Sequence, residues 1–450
     1  MSSKIEVQLT QYTPLLHFQG QESGACLRAS EVKPALDHFI TAWLKKINKT
    51  APPQWIQSEV NGHTAYRYRM TFTANGEPEH QKSQNNKPER PYFYMYKTTN
   101  SKGKMVVRGD IHQLFFAAMG DDAFDSNGES HIKGVFYPDG MKMTILIMGD
   151  QKNKLSDLLK ELIPPFFALH CFGNRSNKGF GSFGVTKMDG DNVPDMDLAD
   201  LIQYTPIDAL YFAKYGSGKI SQNNPNANVK KYLDDVFMLS QVIKAGLNYT
   251  GGDRNDPRYF KGLIFKYFLG KSGGIHAEKR FIKNKILGLP GSPVNQYRFV
   301  RAVIGLPQTY EYKNINRTIN IGYDENDTKK KITRYENPIH FKPFGNYLLM
   351  IPQRIPERMF DNNLFRLNDI PLSTPNSDSF QLTEFIDYCL EEYKNNYSNL
   401  MASFNPHHQY FNGNRIPKIP TNASKMIFES LNRITSIEKA EPKAGDEHNG

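Results

Sequence analysis

Apolar and polar residues alternate at the start of the chain. In "IEVQLTQYTPLLHF", Ile5, Val7 and Leu9 share one side of an extended segment, the two-residue period of a half-buried strand, and Thr13-Pro14 bends it. From Ser30 the period lengthens. Val32, Leu36, Phe39, Ile40, Trp43, Leu44 and Ile47 fall on one stripe, which predicts a helix with one buried face, capped by Ser30 and carrying Pro34 in its first turns. Strands are expected at "AYRYRMTFT", "YFYMYKTT" and "MKMTILIMG", joined by polar connections such as "ANGEPEHQKSQNNKPERP". "LSDLLKELIPPFFALHCFG" places Leu155, Leu158, Leu159, Leu162 and Ile163 on a second stripe, with Pro164 and Pro165 expected to disturb the helix end. The order strand, helix, strands, helix, strand predicts an α+β unit of ferredoxin-like or RRM-like type with insertions.

A short echo extends this to the whole chain. "QYTPL" at Gln11 to Leu15 returns as "QYTPI" at Gln203 to Ile207, and "VKPALDHF" from Val32 is answered by "FKGLIFKYF" from Phe260, in the same order. The expected architecture is two tandem ferredoxin-like/RRM-like domains with insertions. The first spans 1–195 and the second 196–436, divided at the acidic stretch "DGDNVPDMDLAD", and 437–450 forms a polar, frayed tail.

Composition agrees with more than one core. The chain has 450 residues, 39% hydrophobic and 23% charged, the balance of an ordinary globular protein of two or three domains. No apolar run approaches the roughly 18 residues that span a bilayer, and the N-terminus "MSSKIEVQLT" has no apolar h-region, so the expectation is a cytoplasmic protein with no membrane partner. Cys26, Cys171 and Cys389 are odd in number and far apart, which signals neither a disulfide framework nor a zinc knuckle. The net charge is +10, and the bases are concentrated: eleven lysines and arginines lie between Asp253 and Arg301 against Asp253, Asp256 and Glu278. Such a surface favours polyanionic partners.

One stretch concentrates glycine, positive charge and aromatic rings: "GNRSNKGFGSFG", Gly173 to Gly184. Its "GFGSFG" satisfies G-x-G-x-x-G, but a dinucleotide loop leaves a strand and opens a helix, and this one leaves a helix and enters "VTKMDGDN". Lys178 precedes Gly179 and no G-K-[ST] follows, which disfavours a Walker A loop, and no cofactor is expected. Two readings remain. The loop lines a phosphate backbone with its amides, Arg175 and Lys178 while Phe180 or Phe183 stacks a base or anchors the loop, or it is a glycine-rich hairpin without a ligand.

The segment "GNRSNKGFGSF" after an amphipathic helix resembles the glycine-rich loop of the RAMP superfamily, the repeat-associated RRM-like proteins of CRISPR effector complexes, which often reads G-x-R-S-x-x-G-[FY]-G-S. "TPLLHFQ" followed by "LRASEVKPALDHFI" is similar to that family's first strand and the arginine and serine that start its helix with a K-G-x-[LIF] segment. Pro34 stands at the usual glycine, whereas Gly262 in the second copy matches it. Two RRM-like halves with the loop closing the first resemble most the large double-RAMP subunit of the type III-B, or Cmr, complex.

The resemblance implies RNA binding, with CRISPR guide RNA and complementary target RNA as partners beside other RAMP subunits of a type III effector. In the first domain it implies contacts from Arg28, Ser30 and Lys33 at the helix start and from Gly173, Asn174, Arg175, Ser176, Lys178, Gly179, Phe180 and Gly181 in the loop. A helix start and glycine amides donate to phosphates, and the cations add affinity without reading sequence. Arg258, Lys261, Arg280 and Arg301 are the corresponding residues of the second domain.

Target-slicing members of the family carry an aspartate between first strand and first helix; here "HFQGQESGAC" offers Glu22 and no aspartate. A metal-independent ribonuclease needs a general base, for which His17 and the His407-His408 pair are the candidates. Asp121, Asp122 and Asp125 fit no compact metal-ligand set. The expectation is therefore a non-catalytic RNA-binding subunit of a type III effector. A RAMP endoribonuclease that processes CRISPR transcripts, and a basic two-domain RNA-binding protein outside CRISPR systems, remain open.

Overall fold

The structure is a computed structural model that describes residues 3–16, 26–78, 80–81, 90–91, 95–99, 105–109, 134–149, 152–215, 225–250, 257–270, 274–288, 297–306, 309–312, 317–323, 335–360, 364–404 and 437–442. It is an α+β protein that divides into two compact units. The first comprises Met1–Leu233, Phe341–Ile351 and Lys439–Gly450, and the second Asp234–His340 and Pro352–Glu438. The units alternate along the chain.

The first unit opens with β1 (Ser3–Gln11) and α1 (Ala29–Lys46). It continues through β2 (Tyr68–Ala74), β3 (Met141–Ile147), α2 (Lys152–Leu169) and β4 (Phe183–Met188). Their order in the sheet is β4-β1-β3-β2, with every pair antiparallel, the arrangement of two split βαβ units. Alternation in β1 decides the faces. Ile5, Val7 and Leu9 are buried against Val32, Leu36 and Ile40 of α1 and Leu159 and Ile163 of α2 in one core, while Lys4, Glu6 and Gln8 lie on the other face beside Leu146, Thr144 and Lys142 of β3.

Two local expectations are corrected. The N-cap of α1 is Arg28, whose extended backbone offers its carbonyl oxygen to the amides of Glu31 and Val32 at 3.0 Å each, and no side chain caps the helix. Ser30 is already helical and exposed. Pro164 and Pro165 do not end α2, which runs on to Leu169. Phe166 and Phe167 on the continuing turn are fully buried, and their burial outweighs the amide hydrogen bonds that the prolines remove.

A second sheet repeats the same order. After β5 (Tyr211–Lys214) the chain enters the second unit, where β6 (Pro257–Lys261), α3 (Leu263–Gly270), β7 (His276–Ala277), α4 (Glu278–Phe281) and β8 (Tyr297–Arg298) follow in turn. Then come β9 (Ile339–Phe344), β10 (Tyr347–Pro352), α5 (Leu382–Phe404) and β11 (Glu438–Lys439). Strands β9, β10, β5 and β11 are neighbours in that order. Numbered by appearance this is 2-3-1-4, the first sheet's order read from its other edge. The segment expected to be a frayed tail from Ile437 thus begins as an edge strand: Ile437 and Ala440 are buried, and the Ala440 amide donates to the Leu210 carbonyl oxygen at 2.8 Å.

The second unit has its own core, in which Phe281, Ile282, Phe299, Ala302, Ile319 and Phe365 pack together. No helix among the described residues is long and apolar enough to cross a membrane.

Candidate nucleic-acid interface

The glycine-rich loop joins α2 to β4 and lies against the chain just after β1. Gly173 and Gly181 take positive φ, 79° and 65°, a region that L side chains avoid. Close approach adds a second reason. A Cβ on Gly173 would stand 2.5 Å from the Leu16 carbonyl oxygen, and one on Gly181 would overlap the Phe172 carbonyl oxygen. Bare backbone is what lets the loop meet residues 13–16.

Hydrogen bonds fill that contact. The Gly181 amide donates to the Pro14 carbonyl oxygen and the Asn174 amide to that of Leu16, each at 2.7 Å. The Thr13 hydroxyl donates to the Gly179 carbonyl oxygen at 2.6 Å and accepts from the Ser182 amide at 2.9 Å. Within the first unit the loop also meets β9: the Phe341 amide donates to the Asn177 carbonyl oxygen at 3.1 Å, Lys178 bridges Phe341, and the Ser182 hydroxyl donates to the Pro343 carbonyl oxygen. The loop is therefore a joint between β1 of one sheet and β9 of the other.

That joint revises several sequence expectations. The amides of Gly173, Gly179 and Gly181 donate to the Glu31 carboxylate, the Ser176 carbonyl oxygen and the Pro14 carbonyl oxygen, so protein acceptors take the place expected for phosphates. Phe180 and Phe183 are fully buried and serve as anchors, with no face open to a base. Asn174 is buried too. Lys33 donates to Asp37 at 2.6 Å and to the Tyr66 carbonyl oxygen at 3.2 Å, and its ammonium lies 4.3 Å from the centre of the Tyr68 ring. It is committed to an internal network.

What reaches the surface is cationic and polar. Arg28, Arg175, Ser176 and Lys178 are half-buried, and Ser30 is exposed. Because Glu31 of α1 accepts from Gly173, the helix start and the loop's outer residues share one end of the unit. Burial, with the Arg175 charge adding to it, lowers the Lys178 ammonium to about 8. The open face of the first sheet carries Lys4, Glu6, Gln8, Lys142, Thr144 and Thr71, with Glu6 paired to both lysines, and among the described residues it lacks the stacked aromatic residues by which many RRM-like sheets hold bases. Rings do occur beside it. Tyr12 and Phe344, both half-buried, meet edge to face at 5.6 Å, and a Cβ on Gly184 would touch both. Tyr12 and Phe344 escaped sequence reasoning because they lie far apart in the chain.

In the second unit the four expected residues separate. Arg301 pairs with the fully buried Glu278 and lies 4.0 Å from the centre of the Tyr310 ring, which makes it part of the packing. Lys261 ends β6 and Arg280 lies on α4, and burial and then the Arg280 charge push Lys261 down. Arg258 stands in β6 opposite Tyr249. Lys266, His276 and Lys279 join this basic group without having been singled out in the sequence.

Glu22, His17, the His407-His408 pair, and Asp121, Asp122 and Asp125 lie outside the described residues. Among the described residues no three His, Cys, Asp or Glu side chains are grouped to hold a metal ion.

Comparison with known proteins fits this doubled architecture. Residues 2–247 match a family model described as the Cmr1 N-terminal domain, and residues 259–410 one described as the Cmr1 C-terminal domain. The chain belongs to the Cmr1 family. It is thus a RAMP subunit of the type III-B, or Cmr, effector, as the glycine-rich loop and the helix start implied. No curated protein matches the chain by sequence. Among solved structures, the crystal structure of Cmr1 from Pyrococcus furiosus in its apo form is 12% identical, covers 79% of this chain and 90% of its own, and superposes with a TM-score of 0.34. A cryo-EM structure of the Type III-B Cmr-beta bound to cognate target RNA is 10% identical over 78% of this chain and 94% of its own, with a TM-score of 0.38. Membership of the Cmr1 family rests on the two domain models and not on these superpositions.

Proposed function

We infer that this Cmr1-family chain is a non-catalytic RNA-binding subunit of the type III-B effector in antiviral defence, working in the cytoplasm and holding guide RNA, target RNA or both at one end of the complex. The observation that carries the reading is the match of both halves to the two Cmr1 domains. It is supported by the half-buried cations at the start of α1 and in the loop, and by the like-charged group around Lys261 and Arg280. One solved relative is described as bound to cognate target RNA. The contacts are assigned to Arg28, Ser30, Arg175, Ser176 and Lys178 in the first unit and to Arg258, Lys261 and Arg280 in the second. Lysine and arginine at such positions bind phosphates with strong salt dependence and little choice of sequence.

The test is to purify the chain from its host with its native neighbours and sequence the RNA that accompanies it. Guide RNAs with a uniform 5′ tag, together with other RAMP subunits, are expected. A solitary chain with mixed RNA or none overturns the reading. Repeat RNA incubated with the isolated chain should stay intact, whereas specific cleavage would favour the transcript-processing enzyme.

A further inference from the structure

A carboxylate stands among the cations assigned to RNA in the first unit. Glu31 lies in the first turn of α1, and its carboxylate accepts from the Gly173 amide where the glycine-rich loop begins. Arg28 is one turn back, with its carbonyl oxygen accepting from the Glu31 amide at 3.0 Å. Arg175 and Lys178 follow Gly173 in the loop and are tied to each other, the Lys178 amide donating to the Arg175 carbonyl oxygen at 2.9 Å. Glu31 and Gly173 are both only half-buried. Among the described residues the Glu31 carboxylate has no ion pair and no hydrogen-bond partner besides the Gly173 amide.

An acid in the first turn steadies a helix and needs no ligand to do so. Glu31 differs in being held from outside its helix. One hydrogen bond from the loop fixes a carboxylate whose two oxygens offer about four lone-pair sites, so most of its accepting capacity is left over. Among groups that bind phosphates, a fixed anion weakens binding unless the ligand brings it a donor. The sugar-phosphate backbone of DNA has no hydrogen-bond donor. That of RNA has one, the ribose 2′-hydroxyl, by which a protein tells the two apart at a given site.

We propose that Glu31 is the residue by which this end of the first unit distinguishes RNA from DNA. The Gly173 amide holds the carboxylate in place, and the carboxylate accepts a hydrogen bond from a ribose 2′-hydroxyl of a strand whose phosphates lie on the surrounding cations. The assignment rests on the RNA-binding reading above and adds to it a choice of sugar, which phosphate contacts from lysine and arginine do not make. Against a deoxyribose the carboxylate repels the neighbouring phosphates and receives no hydrogen bond in exchange.

The test measures the affinity of the full chain for fluorescent oligouridylates of one length at constant pH and salt, carrying hydroxyl, fluorine or hydrogen at every 2′ position. The bases are the same throughout, and the 2′-fluoro form keeps a ribose-like pucker without the donor. Wild type is expected to bind the hydroxyl form about tenfold more tightly than either of the others, the discrimination of a hydrogen bond to a charged acceptor. Glu31→Gln leaves an oxygen for the Gly173 amide and turns a donor, its amide nitrogen, toward the sugar. It should bind the three forms alike, and the deoxy form at least as tightly as wild type does. A role confined to the helix end or the loop would shift all three together and leave the preference in place. A preference retained in Glu31→Gln, or equal wild-type affinities for the three forms, overturns the assignment of Glu31 while the RNA-binding reading stands. A wild-type chain that binds none of them overturns both. Equal urea midpoints for wild type and Glu31→Gln exclude a folding artefact. Should that variant be unstable, Glu31→Asp, which keeps the charge but withdraws it by one methylene, is expected to lose most of the preference, and a preference it retains in full overturns the assignment equally.

Discussion

Lys342 clamps His170: its ammonium, almost wholly buried, donates to the His170 carbonyl oxygen at 2.7 Å and also to that of Phe183 at 2.8 Å. These two carbonyls mark the ends of the glycine-rich loop, so one side chain on β9 closes the loop at its base. Burial lowers the ammonium to about 8, against a smaller opposing effect of Cys171. The folded chain thus holds this proton less tightly than the unfolded chain does. The pH-dependent part of this group's stability is fully present above the unfolded value of 10.5 and is lost as the pH falls through about 8, while its two hydrogen bonds remain. Lys342→Met leaves both carbonyls without this donor and is expected to destabilise by about 1–2 kcal/mol near neutral pH. Urea titrations of wild type and variant should show the gap widening as the pH is raised from 7.5 to about 9.5; a constant gap would mean that Lys342 is not held this way.

Two glycines of the first unit separate close contact from backbone strain. Gly181 and Gly190 both have positive φ, 65° and 98°, but only Gly181 has a carbonyl oxygen where a Cβ would go, whereas nothing lies within 4 Å of the corresponding point on Gly190. Gly190→Ala should cost about 1 kcal/mol, the strain of the left-handed region. Gly181→Ala adds displacement of the Phe172 carbonyl and should cost about 3 kcal/mol or more. Denaturant midpoints decide it, and equal losses would contradict the close packing.

The elements that the sequence foretold are those with local periodicity. The stripe through Val32, Leu36 and Phe39, and the alternation through Ile5, Val7 and Leu9, appear as α1 and β1 because each pattern needs only one apolar side to bury. The glycine-rich loop was legible as something special, but its dual use was not. Lys342 stands 172 residues from His170 and 159 from Phe183, and no local pattern announces such a clamp. The "QYTP" echo shows a different limit. Its first copy ends β1, where Gln11 donates to the Thr13 and Val135 carbonyl oxygens, but its second precedes β5 and follows the short helix Leu198–Ile202, with Thr205 donating to Ile202. The two copies are not topological equivalents, and the repeat of the fold lies in the strand order of the two sheets.

Arg301 tests whether a basic residue in a basic region is an RNA contact. Its partner Glu278 is fully buried and also accepts from the Val300 amide. Arg301→Ala would strand that carboxylate, a loss of about 3–5 kcal/mol for a broken buried pair. The expected outcome is a lower unfolding midpoint with an unchanged salt slope for RNA binding by the protein that remains folded. A reduced slope without loss of stability would move Arg301 to the interface.

Lys178 and Arg175 provide the corresponding test on the loop. Arg175→Ala with Lys178→Ala should weaken RNA binding and reduce its salt slope by about two, with little change in folding, because both residues are only half-buried. An unchanged affinity and slope would leave the loop with its architectural role alone. The ammonium of Lys178, lowered to about 8 by burial and by Arg175, makes the test sharper. A phosphate favours its charged form, so binding takes up a proton and affinity should fall as the pH rises past 8. Lys178→Arg keeps its charge over that range and should bind with an affinity that no longer depends on pH there. A fall in affinity above pH 8 that persists in Lys178→Arg would place the responsible group elsewhere.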